Sequence, residues 1–564
     1  MNMTRFPVSS IRSYSTHLRS HASKSSTWSA TVKTRLSAFA VVSIPTNSHS
    51  TSSPRFSQEP KTFTRYTLPN SIRIDRANDM ATDSPKRART AYVALGSNLG
   101  DRIAEIEKAC LEMDARGIKV KRTSSLWETE PMYFTDQDRF VNGACEVETT
   151  LEPLELLDQL QDIEISMGRK KLIDKGPRNI DLDILLYEDQ TVDHERLKIP
   201  HIGIPEREFV LRPLAELIPT KPIYPTNPWK FTQDYLNELT PSSPPLTTLT
   251  PLSVSQKPLQ ALTPSRKTHV MAILNMTPDS FSDGGSNTSP SGSPLAETIR
   301  SFITSGATMI DVGGQSTAPK RPEVAAEEEI ARVVPAVELI RSVPEAKDVL
   351  ISVDTYRASV AEAAVKAGAD IINDVSAGTM DPEMLPTMAR LGKTVCLMHM
   401  RGTPATMSSL NNYSSSSSSS SGSSSSGSES DEGVGLTGDG LIPTIAKELL
   451  ERVAAAEAAG VRRWRIILDP GLGFAKLGEQ NLSILRHMGE LRAWPGLQGL
   501  PWLVGSSRKS FIGKVTGVAR PAERIWGTAA TVAAAVEGGA DVVRVHDVKE
   551  MGQVVRMSDA IWRY

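Results

Sequence analysis

The chain has 564 residues, which excludes a single ordinary domain and predicts about three to four domains, or two if one is large. Its 63 basic and 65 acidic residues give a net charge of −2, so no basic surplus indicates a nucleic-acid partner. Three cysteines without C-x-x-C spacing exclude a disulfide framework and a cysteine zinc site. No apolar stretch approaches the length of about 18 residues that a membrane span requires.

The amino-terminal segment has the composition of a targeting sequence. Residues 1–58 contain no Asp or Glu, seven Lys or Arg, and sixteen Ser. This bias predicts a mitochondrial matrix address within residues 1–79, the alternative being a disordered Ser-rich tail. Met80 precedes the first strand-like run, so initiation there would give a cytosolic form.

Alternating strand-like and helical segments predict a first domain over residues 91–235. The strand-like runs are 91–95, about 118–127, 139–148 and 180–187, and the helical stretches are 101–115 and 152–167. The order β-α-β-β-α-β predicts a ferredoxin-like α+β domain. Six prolines within 241–264 are incompatible with an element interior, so residues 236–268 are predicted to be a flexible Pro/Ser-rich linker.

The remainder, 269–564, has eight apolar strand-like runs separated by helical stretches, which predicts a (β/α)8 barrel and an α/β fold class for the chain. The runs are 270–275, 308–313, 349–354, 370–375, 394–398, 465–469, 502–505 and 541–545. An insertion at 411–436 contains eight consecutive serines and is predicted to be a disordered loop after the fifth strand, with a phosphorylation role as the alternative.

Polar residues fall at or just after the carboxyl end of every barrel run, where such barrels carry their chemistry. They are Asn275, Asp311, Asp354, Asn373, Asp374, His399, Asp469, Arg508, Lys509 and His546. For any single position, capping of the following helix is an equally good interpretation. Together with the Gly- and Ser-rich loops, they predict a site for a flat heterocycle with an attached phosphate; the alternative is an ion-paired barrel rim.

In the first domain, Asp181 and Asp183 are two residues apart on a predicted strand, so both carboxylates point to one face. Oxygen ligands in this arrangement suit Mg²⁺. The preceding loop is basic, with Arg169, Lys170, Lys171, Lys175 and Arg178. Together these features predict binding and transfer of a polyphosphate, whereas either feature alone would indicate a solvated loop or an edge strand.

Residues 91–219 resemble 6-hydroxymethyl-7,8-dihydropterin pyrophosphokinase. The matching motifs are VALGSNLGDR, WETEP, FVNGACEVET, GPRNIDLDILLY and IPHIGIPEREFVLRPLAEL. The resemblance implies transfer of a diphosphate from ATP, as substrate, to the pterin hydroxymethyl group, with Mg²⁺ as cofactor. It implies metal binding by Asp181 and Asp183, phosphate handling by Arg169 and Arg178, ATP contacts from His201 and Arg207, and pterin contacts from Asn142 and Phe209. The family's frequent loop Trp is replaced here by Lys175, which puts the kinetics of loop closure in question.

Residues 269–564 resemble dihydropteroate synthase through MAILNMTPDSFSDGG, DVGGQST, ISVDT, IINDV, LMHMRGTP, LDPGLGFAK, GSSRKSF and RVHDV. This implies condensation of the pterin diphosphate with 4-aminobenzoate, and a homodimer formed through the barrel. It also implies pterin binding by Asp354, Asn373, Asp469 and Lys509, and binding of diphosphate and its Mg²⁺ by Asn275, Arg544 and His546, with Thr317 on a mobile loop.

One departure from the synthase pattern concerns the loop after the second barrel strand. Ala318 stands where many family members have Arg, and Lys320 or Arg321 is the expected substitute. Two alternatives stay open from the sequence: a folate-dependent methyltransferase barrel, and a barrel that binds pterin without turnover. The combination of domains resembles the bifunctional plant and fungal enzymes, without the upstream aldolase domain of some fungal chains.

Overall fold

The computed structural model describes residues 87–132, 135–169, 176–276, 293–315, 323–413 and 440–564. The predicted leader, the start at Met80, residues 414–436 of the insertion and Thr317 lie outside the described residues, as do Lys175, Ala318, Lys320 and Arg321. In the part of the chain that is described, no helix is both long and apolar enough to cross a membrane.

The first domain is an antiparallel sheet with helices on both faces. Its elements are β1 (Arg89–Ser97), α1 (Arg102–Ala115), β2 (Lys119–Thr123), β3 (Leu126–Thr129), β4 (Phe140–Thr149), α2 (Pro153–Ser166), β5 (Asp181–Tyr187), β6 (Val192–His194), β7 (Leu197–Ile199), α3 (Glu208–Leu217), α4 (Thr232–Glu238) and β8 (Thr247–Leu249). The sheet order is β5-β1-β4-β3-β8, and β2 also pairs with β4. The predicted β-α-β-β-α-β order is confirmed, with the run at 118–127 divided into β2 and β3.

The alternation along β1 explains why helices cover both faces of this sheet. Val93 and Leu95 pack in one core with α1 and α2, whereas Tyr92 packs in a second core with α3. Successive side chains of a strand point to opposite faces, so a strand that is apolar at both sets of positions needs cover on both sides. The helix α3 adds a layer to the ferredoxin-like arrangement.

The second domain is the predicted (β/α)8 barrel. Its elements are β9 (His269–Asn275), α5 (Pro294–Thr304), β10 (Met309–Gly313), α6 (Ala326–Ser342), β11 (Leu350–Asp354), α7 (Ala358–Ala367), β12 (Ile371–Asp374), α8 (Met384–Leu391), β13 (Thr394–Met398), α9 (Leu441–Ala458), β14 (Ile466–Asp469), α10 (Gly478–Arg486), α11 (Met488–Arg492), β15 (Leu503–Val504), α12 (Ser510–Thr516), α13 (Ile525–Glu537), β16 (Val542–Val545) and α14 (Val548–Trp562). The parallel strands follow the order β14-β13-β12-β11-β10-β9-β16-β15. A bridge between Leu468 and Trp502 joins the two ends and closes the barrel.

The segment between the two sheets is folded, so the prediction of a flexible linker over residues 236–268 is wrong. Its strand β8 pairs with β3 at the edge of the first sheet. Leu252 and Leu259 are buried against residues at the amino-terminal ends of the barrel strands, and they close that end of the barrel. The prolines lie beside these short elements and not within them. A high proline content therefore does not indicate that this segment is flexible.

The first domain contacts the barrel at this same amino-terminal end. The Thr248 hydroxyl donates a hydrogen bond of 2.7 Å to the carbonyl of Gly499, which lies in the loop before β15. The backbone N–H of Arg463, just before β14, donates one of 3.0 Å to the Thr123 hydroxyl. The carboxyl ends of the barrel strands therefore lie on the side away from the first domain.

Candidate active sites

The first candidate site lies on neighbouring strands β1 and β5 of the antiparallel sheet. In this register Asp181 is opposite Gly96, and Asp183 is opposite Ala94. A Cβ atom at Gly96 would lie 3.4 Å from Asn142 Oδ1 and 3.5 Å from Asp181 Cβ. The absence of a side chain at Gly96 therefore leaves the space between Asn142 and the carboxylate strand open to a ligand.

Two arginines converge on Asp181. Arg169, after α2, lies 2.9 Å from one carboxylate oxygen, and Arg178, before β5, lies 3.1 Å from the other. The Arg178 backbone N–H donates to Asn98 Oδ1 at 2.8 Å, which fixes the end of the loop that carries it. Residues 170–175 of the basic loop lie outside the described residues. The predicted grouping of Asp181 with Arg169 and Arg178 is present in the structure.

The electrostatics of this site favour an added cation. Desolvation within the pocket, together with the neighbouring Asp181 carboxylate, raises the pKa of Asp183 to about 6, and Arg178 opposes the rise. Burial also raises the pKa of Glu164, which pairs with Arg169, to about 7. Among the described residues no group of three His, Cys, Asp or Glu side chains is placed to hold a metal ion. Two carboxylates completed by phosphate oxygens are a donor set that suits Mg²⁺, so the residues fit this ion.

A pocket next to the two carboxylates contains the other residues predicted for this domain. His201, Arg207, Phe209 and Asn142 all line it. Asn142 donates to the Thr129 hydroxyl at 2.8 Å, which fixes its amide. Burial and the neighbouring Arg207 lower the pKa of His201, so the imidazole is neutral. The pocket thus offers amide, aromatic and cationic groups beside the acidic pair.

The second candidate site lies at the carboxyl ends of the barrel strands. Arg544 on β16 donates to Asp311 Oδ2 through Nε and to Asp354 Oδ2 through Nη2, both at 2.6 Å. Asn373 on β12 donates to Asp311 Oδ2 at 3.2 Å. A Cβ atom at Gly313 would lie 3.5 Å from Asp354 Cβ and 3.7 Å from Asn275 Oδ1, so Asn275 adjoins the same group.

The two carboxylates in this cluster retain free hydrogen-bonding capacity. Asp354 Oδ1 and Asp311 Oδ1 are buried and accept no hydrogen bond within the described ranges. Burial raises the pKa of Asp354 to about 7, Arg544 opposes this, and the Asp311 carboxylate adds to it. Buried acceptors without donors are costly, and an incoming ring with amino and ring N–H groups would satisfy them.

After β15, the strand next to β16, Lys509 lies near Asp469 of β14. Its ammonium donates to the Leu472 carbonyl and lies 4.5 Å from the centre of the Phe474 ring. Burial lowers the pKa of Lys509 to about 8, and the Asp469 carboxylate opposes this shift. Gly473 has a φ of +77°, and a Cβ atom there would lie 2.8 Å from Lys509 Cδ, so the loop requires glycine at this position.

His546 lies after β16 and contacts the Ser507 hydroxyl through its backbone N–H at 3.2 Å and Nδ1 at 3.1 Å. Burial, with Arg508 and Arg544 nearby, lowers its pKa to about 4, so the imidazole is neutral. Arg508 itself is paired with Asp547. The strand-end residues in the described part of the chain therefore form one rim; Thr317 is not among the described residues.

Some polar residues act differently from what their position in the sequence indicated. Asp374 accepts from the backbone N–H groups of Ser376 and Gly378, so it holds the turn after β12 and does not cap α8, which begins at Met384. His399 contacts Glu448 through Nε2 at 2.8 Å and is 2% exposed. The sequence distinguishes Asp311 only by its place at a strand end, whereas in the structure it orients Arg544. Its pairing could not be read from a local pattern because the partners are 233 residues apart.

Comparison with known proteins assigns each of the two domains to a family. Residues 92–219 match the family model described as 7,8-dihydro-6-hydroxymethylpterin-pyrophosphokinase, and residues 271–546 match the model described as pterin binding enzyme. The fold and sites thus define a two-domain pterin enzyme class. The chain belongs to the family of bifunctional folate-synthesis proteins.

Two curated relatives illustrate the extent of the similarity. The folate synthesis bifunctional protein, mitochondrial, of Arabidopsis thaliana is 36% identical, with 89% of this chain and 88% of the relative covered. The folic acid synthesis protein fol1 of Pneumocystis carinii is 44% identical over 84% of this chain. The chain spans only 60% of the length of that fungal relative.

A solved structure shares the arrangement of both domains. The Plasmodium falciparum HPPK-DHPS wild-type structure with pteroate has a TM-score of 0.67, with 85% of this chain and 99% of the other covered. At 22% sequence identity this likeness establishes the fold. It confirms the predicted order of a ferredoxin-like α+β domain followed by a (β/α)8 barrel.

Proposed function

We propose that the chain catalyses two consecutive steps of folate synthesis. The first domain transfers a diphosphate from ATP to 6-hydroxymethyl-7,8-dihydropterin, and the barrel joins the product to 4-aminobenzoate to give 7,8-dihydropteroate and diphosphate. The observation that carries the proposal is that each domain gathers carboxylates and cationic side chains from separate segments. In the first domain they adjoin a pocket, and in the barrel two buried carboxylate oxygens accept no hydrogen bond within the described ranges.

In the first step, the hydroxymethyl oxygen attacks the β-phosphorus of ATP and its proton is released, while the bond from the β-phosphorus to the oxygen of the α-phosphate breaks and AMP leaves. Asp181 and Asp183 would hold Mg²⁺, which neutralises charge on the polyphosphate when bound. Arg169 and Arg178 orient the transferring diphosphate. Of the remaining pocket residues, His201 and Arg207 contact ATP, and Asn142 and Phe209 contact the pterin.

In the second step, the bond between the pterin methylene carbon and the diphosphate oxygen breaks, and the amine of 4-aminobenzoate attacks that carbon and loses a proton. Ionised Asp354 stabilises the positive charge that develops on the pterin. Asn373, Asp469 and Lys509 hold the ring. Asn275, Arg544, His546 and Thr317 are assigned to the diphosphate side. Asn275 would hold Mg²⁺, which would neutralise charge on the leaving diphosphate.

A coupled assay tests the proposal. The chain starting at Met80 is supplied with 6-hydroxymethyl-7,8-dihydropterin, ATP, Mg²⁺ and 4-aminobenzoate, and both the pterin diphosphate and dihydropteroate are quantified. Formation of dihydropteroate through the diphosphate supports both assignments. Accumulation of the diphosphate alone contradicts the synthase assignment, and absence of both products contradicts the kinase assignment.

The second step is expected to depend on pH through Asp354. The reaction requires ionised Asp354. Because burial raises the pKa of this carboxyl to about 7, Asp354 loses its proton only as the pH approaches neutrality. With pterin diphosphate supplied, kcat/KM should fall about tenfold per pH unit below this pKa and level off above it. Rates measured from about one unit below to one unit above the pKa check this, with circular dichroism confirming a folded chain. A flat profile contradicts it.

We also infer a homodimer through the barrel. Trp526 on α13 is 85% exposed, and Met557 and Ile561 lie exposed one turn apart on α14. Exposed apolar side chains of this kind are typical of contact surfaces. Light scattering of the chain starting at Met80 should give twice the monomer mass, and Trp526→Glu should shift it towards the monomer.

For localisation, we propose a mitochondrial matrix form directed by residues 1–79 and a cytosolic form that starts at Met80. The composition of the leader supports the first form. Amino-terminal peptides mapped in each cell fraction test both. Absence of a peptide starting at Met80 or Ala81 from the cytosolic fraction contradicts the second form.

A further inference from the structure

The barrel inserts a short turn into the first domain. Residues Arg463–Arg465 form a 3-10 turn immediately before β14. The Trp464 side chain is 1% exposed and packs within the hydrophobic core of the first domain. Its indole N–H donates to Glu107 Oε1 on α1 at 2.6 Å. This turn is therefore fixed to the first domain at the amino-terminal end of the barrel.

Arg463 in this turn connects charged groups of both domains. Within the barrel, its guanidinium donates to Glu457 Oε1 at 2.9 Å and to the Gly496 carbonyl. Across the interface, its Nε lies 3.4 Å from Glu216 Oε2 on α3. Arg463 is 7% exposed, so this contact is shielded from solvent.

Glu216 links two elements of the first domain. Its Oε2 accepts from the Ser125 backbone N–H at 2.6 Å, and its Oε1 accepts from Trp127 Nε1 at 3.0 Å. Ser125 precedes β3 and Trp127 lies on it, whereas Glu216 lies on the last turn of α3. The carboxylate thus holds α3 against β3.

Both of these elements also line the pocket assigned to the pterin. The first turn of α3 carries Phe209, and β3 carries Thr129, which accepts the hydrogen bond from Asn142. Trp127 is directly opposite Asn142 in the register of β3 and β4. Any change in how Glu216 joins α3 to β3 therefore moves the pterin contacts.

We propose that Arg463 of the barrel is a positioning residue for the pterin pocket of the first domain, acting through Glu216. This rests on the proposed function of that domain. Burial raises the pKa of Glu216, and Arg463 opposes this rise. Without Arg463 the carboxyl tends to take up a proton, one oxygen becomes a donor, and it can no longer accept from both Ser125 and Trp127.

The test is steady-state kinetics of the diphosphokinase step in the chain starting at Met80. Arg463→Met should raise KM for 6-hydroxymethyl-7,8-dihydropterin about fivefold. The kcat should stay within about twofold of the unsubstituted chain, since Asp181 and Asp183 lie on β5, outside the contact between α3 and β3. Arg463→Lys should restore part of the loss.

Arg465→Gln is the matched control. Arg465 also pairs across the interface, with Glu107 at 2.8 Å, but α1 lies on the face of the sheet opposite α3. We expect this variant to lower thermal stability and leave KM for the pterin unchanged. A comparable rise in KM for both variants would show a general effect of interface loosening and overturn the proposal.

Glu216→Gln provides a second route if Arg463→Met does not fold. Gln has a single acceptor oxygen, so it can accept from Ser125 or from Trp127 but not from both, and KM for the pterin should rise to a similar degree. In a double variant the two effects should not add. Additive effects, or an unchanged KM in both single variants, overturn the proposal. Absence of diphosphate transfer by the unsubstituted chain contradicts the proposed function instead.

Discussion

Replacing Asp183 by Asn is expected to lower kcat for diphosphate transfer by about a thousandfold. The substitution keeps the size of the side chain but removes one of the two negative charges on β5. Asp181 is already engaged by Arg169 and Arg178, so Asp183 is the carboxylate that remains available for a cation. The measurement is production of AMP and of the pterin diphosphate at saturating ATP and Mg²⁺.

Two controls accompany this variant. Dihydropteroate formation from supplied pterin diphosphate should be unaffected, because the barrel folds around its own core. Asp193→Asn removes an exposed carboxylate that pairs with Lys198, and it should leave both activities intact. Retention of more than about a tenth of the diphosphokinase rate in Asp183→Asn would contradict the assigned role.

Replacing Asp354 by Asn is expected to lower kcat for dihydropteroate formation by about a hundredfold to a thousandfold. The neutral amide cannot compensate positive charge on the pterin methylene group. Arg544 keeps its contact with Asp311, so the cluster remains paired and the protein should stay folded. The measurement uses supplied pterin diphosphate and 4-aminobenzoate, which separates this step from the first.

Asp370→Asn is the matched control for this change. Asp370 precedes β12 at the amino-terminal end of the barrel, where it pairs with Arg341 and accepts from the Ile351 N–H. Asp370 lies at the end of the barrel opposite the mouth, so its replacement should leave the synthase rate unchanged. If Asp370→Asn and Asp354→Asn reduced the rate equally, loss of structure would account for both.

Much of the fold could be predicted because local patterns determine it. Runs of apolar residues predict the strands. The ends of these runs also predict that Asp354 and Asp469 lie at the carboxyl ends of β11 and β14, as they do in the structure. The period of two placed Asp181 and Asp183 on one face of β5. Predictions of this kind depend only on neighbours within a strand or a turn.

Pairings between distant segments could not be predicted in the same way. Nothing in the residues around Arg463 indicates Glu216, because the contact depends on how the two domains pack. The prediction of a flexible linker is wrong for a related reason. Leu252 and Leu259 are buried because they cover one end of the barrel, and the sequence of the segment itself does not indicate that contact. Composition describes a segment in isolation, whereas burial depends on what surrounds it.

The folded connection also determines the route of the intermediate. In the described part of the chain, Leu252 and Leu259 close the end of the barrel that meets the first domain, so they leave no passage through the barrel. Under the proposed function, we therefore expect the pterin diphosphate to leave the first domain, pass through solvent around the barrel and enter from the far side. Fusion then ensures equal amounts of the two proposed activities. If labelled pterin diphosphate is formed by the first domain, added unlabelled pterin diphosphate should dilute the label that reaches dihydropteroate.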